Sequence, residues 1–261
     1  MAFEQIAQVG ARYVEVAFIE GYIDPFTEET FIAANAKNLR RNLIDSGLSC
    51  HTFSAHLDLS KVGTVEIFKH RLEFACELGA KIVISNTAPP SREQEFYRNI
   101  QQLAAHAHIL GITIALENPG DGRKNLLDTG VEGARIIEQL GLTNVGLNYD
   151  FGNVVTHLQD QVRPEDDFEA ALPHTVHLHI KDLEGDSRGW QFTEIGKGTV
   201  NYQRILSDCR IRGLPLSLEV PLRLRRLPSG RPVRGPHPVC IEEIVGVLKG
   251  SFEYTTRMLE S

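Results

Sequence analysis

Four positions in this chain carry groups that bind divalent cations, each at the end of a short apolar run: Glu117 after ITIAL, Asp150 after VGLNY, His179 within VHLHIKD and Glu219 after LPLSL. A carboxylate that follows four or five apolar residues is costly to bury alone, and one shared divalent cation compensates several at once. One imidazole with three carboxylates is an oxygen-rich set that suits Mn²⁺, Mg²⁺, Co²⁺ or Zn²⁺. For any single acid the plainer explanation is a helix cap or a solvated loop. Four in succession argue for one site. His177 and His179 share a strand face about 6–7 Å apart. His179 lies level with the carboxylates and is the expected ligand, while His177 is open to two readings, a hydrogen-bonded core histidine or a substrate contact.

Residues so far apart in sequence meet only if a regular scaffold brings strand ends together. Glycines stand where amphipathic helices should stop, at Gly10, Gly47, Gly79, Gly111, Gly141 and Gly213, at intervals of 37, 32, 32, 30 and 72 residues, the last about two units. The stop missing from that last interval falls near Ala171, Leu172 and Pro173, where Pro173 ends the helix instead. Seven apolar runs follow these stops and read as buried parallel strands: 13–18, 48–53, 81–85, 112–116, 145–149, 176–180 and 214–218. Between them, stretches such as 65–78, 93–110 and 131–140 carry one apolar face at helical spacing. A βα unit of about 32 residues predicts a (β/α) barrel or a doubly wound sheet. Neither GxGxxG after the first strand nor GxxxxGK[ST] occurs, which removes support for the nucleotide-binding open sheets. In a barrel, the C-terminal strand ends face a common mouth.

The composition bounds the rest. In 261 residues, 42% are hydrophobic and 23% charged, ordinary values for a globular chain with a real core. The net charge of -7 argues against nucleic acid as a partner. Cys50, Cys76, Cys209 and Cys240 form no CxxC pair and lie in apolar segments, so the expectation is buried free thiols in the cytoplasm. The opening MAFEQIAQVG lacks the basic start of a signal peptide, and no apolar run approaches 18 residues, so no membrane partner is expected.

The succession ALENP (115–119), NYDFGN (148–153), HLHIKD (177–182), EIGKGTVNY (194–202) and SLEV (217–220) resembles the xylose-isomerase-like TIM barrels. That superfamily contains sugar-phosphate isomerases and epimerases, inosose dehydratases, hydroxypyruvate isomerases and AP endonucleases. The resemblance spans essentially the whole chain, 1–261, as one domain. It implies a (β/α)8 TIM-type barrel in which the seven runs are strands two to eight and the first strand is missing. It also implies one divalent metal ion, manganese first, with magnesium, cobalt or zinc as alternatives, held by Glu117, Asp150, His179 and Glu219. The two glutamates, Glu117 and Glu219, would then also move the substrate's proton. The implied substrate is a small polyhydroxy carbonyl compound, isomerised or epimerised by proton abstraction next to the carbonyl. A dehydratase of the inosose or dehydroshikimate type is the alternative, since the same base would expel a β-hydroxyl. The ketose 3-epimerase branch has an acid six residues after the first ligand and an arginine six after the histidine, where this chain has Arg123 and Gly185. Asn153 replaces a histidine of that branch and of the endonucleases, which places the endonuclease reading last.

Around the ligands, His56, Asn153, His177, Lys181 and Arg223 are the expected substrate-binding residues. Asn86 and Asn118 could line the mouth or make loop turns. Lys181 and Asp182 could orient His179 from behind or simply end the strand. Trp190, in an expected loop, is open to sugar stacking or packing. Arg223, Arg225, Arg226, Arg231 and Arg234 follow Glu219 with interleaved prolines, either a solvated charge run or a contact for an anionic substrate group. With strand one absent, the first and last runs would face each other across a seam. Side chains, the C-terminal segment or a neighbouring subunit of a homo-oligomer would have to cover it.

Overall fold

A computed structural model of the chain describes residues 2–19, 27–206 and 213–260. Helix and strand alternate as α1 (Ala2–Gln8), β1 (Val16–Ile19), α2 (Ala33–Asp45), β2 (Thr52–His56), α3 (Thr64–Leu78), β3 (Ile82–Ser85) and α4 (Glu93–Ile109). The alternation continues through β4 (Thr113–Glu117), α5 (Gly130–Leu140), β5 (Val145–Asp150), α6 (Phe151–His157), α7 (Pro164–Ala171) and β6 (Thr175–Ile180). The last part runs β7 (Asp182–Asp186), β8 (Gly189–Thr193), α8 (Tyr202–Leu206), β9 (Leu216–Leu218), β10 (Leu224–Arg226), β11 (Pro232–Arg234) and α9 (Ile241–Glu260).

Seven strands form one curled parallel sheet in the order β1-β2-β3-β4-β5-β6-β9, the barrel-type α/β architecture with seven strands that the sequence predicts. Among the described residues no strand pairs β1 with β9, so these two are the edges of the sheet. Outside that seam α1 packs on α9, and Phe252 lies against Gly10. The C-terminal segment therefore covers the seam from without.

The helices form because their apolar faces fill the outer core. Phe68, Leu72 and Ala75 of α3 and Phe96, Ile100, Leu103 and Ala107 of α4 are buried there. α3 ends at Gly79, whose φ of 106° only glycine adopts without strain, and the chain turns at once into β3. On the inner face, Ile82, Ile84 and Ala115 form a separate small apolar cluster with Val176. Ala115 lies two residues before Glu117, so this cluster forms the floor beneath the polar strand ends.

Three expectations change. The second run becomes a ladder only from Thr52, because Tyr13 meets Ser49 as an isolated bridge, and His56 is the last residue of β2 rather than a loop residue beyond it. The segments holding Trp190 and the arginines after Glu219 are not loops. They form a four-stranded antiparallel sheet, β11-β10-β8-β7, with Arg225 paired to Gln191 and Arg226 to Trp190. Of the cysteines, Cys50 is buried, Cys76 half-buried and Cys240 exposed, all free, because Cys240 sits on the surface segment before α9; Cys209 lies outside the described residues.

Candidate metal centre

Strand register explains the convergence. Glu117 pairs with Asn148, Asn148 with His177, Asp150 with His179, and His179 with Ser217. A register shift between Leu147 and Asn148 lets Asp150 come level with His179. Glu219 follows β9 directly, its N–H bonded to Ile180 O. One ligand atom from each of Glu117, Asp150, His179 and Glu219 lies within 4.8 Å of the other three. His179 Nδ1 contacts Glu117 Oε1 and stands 3.2 Å from Glu219 Oε2 and 3.8 Å from Asp150 Oδ2.

These groups are buried apart from Glu219, which is about one-third exposed. Lys181 reaches into them, its Nζ 2.6 Å from Asp150 Oδ2, 2.9 Å from Glu219 Oε2 and 3.2 Å from Asn153 Oδ1. Gly152 permits this, since a Cβ there would lie 2.8 Å from Lys181 Cγ. Asn148 Nδ2 donates to Glu117 Oε1, Asn118 Oδ1 accepts from the Asp150 N–H, and Asn153 N donates to Asp150 Oδ1.

Burial raises the Asp150 carboxyl to about 6, with Glu219 and Glu117 adding repulsion and Lys181 opposing it. Burial also works against ionised Glu117, but the charges of His179 and His56 draw it down to about 2. His179 is desolvated, which alone would lower it, yet Glu15 and Glu117 hold it protonated far above 6.5. Several carboxylates thus gather where protons and one ammonium now balance them. The donor set, three carboxylates and an imidazole nitrogen facing one point, fits a hard divalent cation.

Glu15 was not among the expected residues. It precedes β1, and its carboxylate lies 3.0 and 3.1 Å from His179 Nε2 and accepts from Ser54 Oγ at 2.5 Å and Ser217 Oγ at 2.6 Å. The signal was a lone acid inside the apolar run 13–18.

A cavity of about 1060 Å³ opens over the centre. His56, Asn86, Asn153, Lys181, Arg223 and both glutamates, Glu117 and Glu219, border it. His56 Nε2 is 3.4 Å from Glu117 Oε2. Its backbone is fixed by buried Arg71, which donates to the carbonyls of Ala55 and His56. Leu57, Phe192, Val220 and Leu222 supply apolar wall, and Lys61, Arg123, Lys124, Arg223, Arg226 and Arg234 place cations along it.

His177 does not border the cavity; it is buried, bonded to Asn148 Oδ1 at 2.8 Å and Ser217 Oγ at 3.2 Å, the core position of its two readings. Burial pulls it down to about 4, so it is neutral. Trp190 packs instead of facing a sugar, its Nε1 donating to Asp160 at 3.1 Å. Asp182 does not touch His179. It accepts backbone N–H bonds from Leu183, Gly196, Gly198 and Val200 and so shapes the chain after β8. Asn118 braces Asp150 from behind rather than lining the mouth.

Residues 3–234 match the family model described as xylose isomerase-like TIM barrel. No curated protein matches the sequence. Among solved structures, D-psicose 3-epimerase with D-tagatose from Clostridium cellulolyticum H10 is 14% identical, over 100% of this chain and 93% of that one, with a TM-score of 0.76. A xylose isomerase-like TIM barrel protein from Mycobacterium smegmatis in complex with magnesium is 18% identical, over 98% and 86%, at 0.72. The probable 3-DHS dehydratase AsbF from Bacillus anthracis is 16% identical, over 98% and 92%, at 0.70. At these identities the likeness is one of fold.

Proposed function

The chain belongs to the xylose isomerase-like TIM-barrel family, and from that premise we propose that it is a divalent-metal-dependent isomerase or epimerase of a small polyhydroxy carbonyl compound, a sugar or sugar phosphate. The observation that carries this reading is the convergence of Glu117, Asp150, His179 and Glu219 beneath an open cavity. Manganese is the ion proposed first. A bound divalent ion would polarise adjacent carbonyl and hydroxyl oxygens and acidify the C–H between them.

The chain's own residues supply the rest. Glu117, kept ionised by His179 and His56, is a base at neutral pH. Glu219 directly follows β9, a strand not adjacent to β4, so the two carboxylates would approach a substrate from different walls, one to take a proton and one to return it. Lys181 holds Glu219 in place through the 2.9 Å contact. His56 and Asn153 offer hydrogen bonds to hydroxyls, and the apolar wall restricts water.

The cations along the cavity favour a substrate with a phosphate or carboxylate, bound in part by Arg223. They also favour a second reading, dehydration of an anionic cyclic polyol, in which the same proton abstraction is followed by loss of a β-hydroxyl. Incubation with Mn²⁺ in D₂O against free sugars, sugar phosphates and sugar acids separates the outcomes. Exchange of one C–H next to a carbonyl, lost in Glu117→Gln, is expected. Ultraviolet absorbance from a conjugated carbonyl would replace isomerase by dehydratase, and neither signal with any compound would overturn both.

A further inference from the structure

We propose that Glu15 is a positioning residue for the metal: its carboxylate takes the Nε2–H of His179, so that Nδ1 presents its lone pair to the point faced by Glu117, Asp150 and Glu219. The role rests on the metal reading above and adds to it a fourth acidic residue, which contacts His179 but none of the other three ligands.

A neutral imidazole carries its proton on one nitrogen only, and the ligand nitrogen must be the bare one. Here the two nitrogens face different partners. Nδ1 faces Glu117, Asp150 and Glu219, while Nε2 faces Glu15 Oε1 and Oε2 at 3.0 and 3.1 Å. A carboxylate behind a ligating histidine selects the tautomer, fixes the ring plane and raises the basicity of the opposite nitrogen. Among the described residues, Glu15 is the acceptor at Nε2.

The fold also explains why the acid comes from the residue just before β1. Ser54 on β2 and Ser217 on β9 both donate to Glu15, so one carboxylate spans the two unpaired sheet edges at the height of His179. Hydroxyls that can only donate to an ionised carboxylate hold it in one rotamer, aimed at the imidazole. The seam is thus joined on its inner side by the group that sets the ligand. A competing arrangement uses Glu15, His177 and His179 as a second metal site, since their ligand atoms lie within 4.8 Å of one another. That would require both nitrogens of His179 to be unprotonated at once, and it would strip Glu15 of the proton it accepts.

The test measures Mn²⁺ affinity of the ion-free full chain by competition with a chelator, for wild type, Glu15→Gln and Ser217→Ala. Wild type should bind one ion, Glu15→Gln should bind about 10–100-fold more weakly, and Ser217→Ala, which loses a seam bond but keeps the contact with His179, should stay within about threefold. Equal losses in the two variants would make Glu15 a strut of the seam and overturn the role, as would two ions in wild type and one in Glu15→Gln. Nitrogen NMR of the Mg²⁺-loaded wild type gives a reading independent of any variant's folding. A protonated Nε2 and bare Nδ1 at His179 are expected, and the opposite tautomer overturns the proposal. Wild type that takes up no ion overturns the metal reading and this role together, whereas wild-type affinity retained in Glu15→Gln removes this role alone.

Discussion

The strand-end cluster and the antiparallel sheet beside it border one cavity but are built on opposite plans. In the first, Glu117, Asp150 and His179 are almost fully buried, and each is held by hydrogen bonds from a neighbouring strand or loop. In the second, strands of three to five residues carry or adjoin arginines, as with Arg223 just before β10, which donates to the carbonyls of Gly235 and Pro236. A group that moves protons must keep its place to within a fraction of an ångström, and parallel strands packed on both faces supply that. A group that greets a charged substituent needs reach rather than rigidity. On the proposed reading, chemistry would reside in the barrel and selectivity in the added sheet.

The largest effects should come from the first region. Glu117→Gln and Glu219→Gln should lower turnover by about a thousandfold or more, since each removes a ligand charge and a proton-transfer group. Asp150→Ala and His179→Ala should lose tight metal binding altogether. Turnover, metal analysis and thermal melting check this together. A Glu117→Gln protein with near-normal turnover would break the division between the two regions.

The same cluster fixes a dependence on pH. With no ion bound, His179 is held well above its ordinary 6.5 despite the burial that would lower it, through Glu15 and Glu117, and burial first lifts Asp150 to about 6. Both bind protons more tightly folded than unfolded, so their stabilisation is present below the unfolded values and fades as pH rises through the folded ones. Glu15 and Glu117, held low, are already ionised throughout this window and add no slope. The ion-free protein should lose stability from about pH 5 to about pH 6 through Asp150, and again from about pH 6.5 upward through His179, by up to about 1.4 kcal/mol per pH unit for each proton released. Saturating Mn²⁺ should reverse the slope, because the ion needs bare Nδ1 and ionised Asp150. Melts with chelator and with Mn²⁺ that run parallel in pH would show that the cluster does not exchange protons for metal.

Arg223→Ala probes the second region. KM for an anionic substrate should rise about tenfold with kcat within about threefold, the cost of one charge-assisted hydrogen bond that is made equally in ground and transition states. An equal fall in kcat would move Arg223 into the chemistry and blur the contrast.

The two regions also differed in how far the sequence disclosed them. An acid after a buried apolar run conflicts with its surroundings, and that conflict marks Glu117, Asp150 and Glu219 in the bare sequence. Register is legible for the same reason, since period-two alternation puts His179, not His177, at the level of the acids. Glu15 carries the same kind of conflict, yet its partners Ser54, His179 and Ser217 lie 39 to 202 residues away, and a single acid in a first strand has many uses. The added sheet left no periodic trace. Its strands are short and polar, and the β8–β10 pairing joins Trp190 to Arg226 across the whole of α8 and β9.

The smallest effect should fall outside both regions. Thr129 caps α5 in a reciprocal box, its Oγ1 accepting from the Glu132 N–H at 3.2 Å while Glu132 Oε2 accepts from the Thr129 N–H at 3.1 Å. Thr129→Ala leaves the Glu132 N–H without its side-chain acceptor and should cost about 1 kcal/mol, lowering the melting temperature by about 2–4 °C for a chain of this size. Glu132 also accepts from the Asp128 N–H and from Lys124, whose side chain borders the cavity, so the cap reaches the rim through one side chain. Since that carboxylate keeps both contacts when the threonine hydroxyl is removed, kcat and KM should be unchanged. A rise in KM without further loss of stability would show that the rim takes its shape from the ring of helices, and the separation between a rigid barrel and an independent binding sheet would have to be redrawn to include α5.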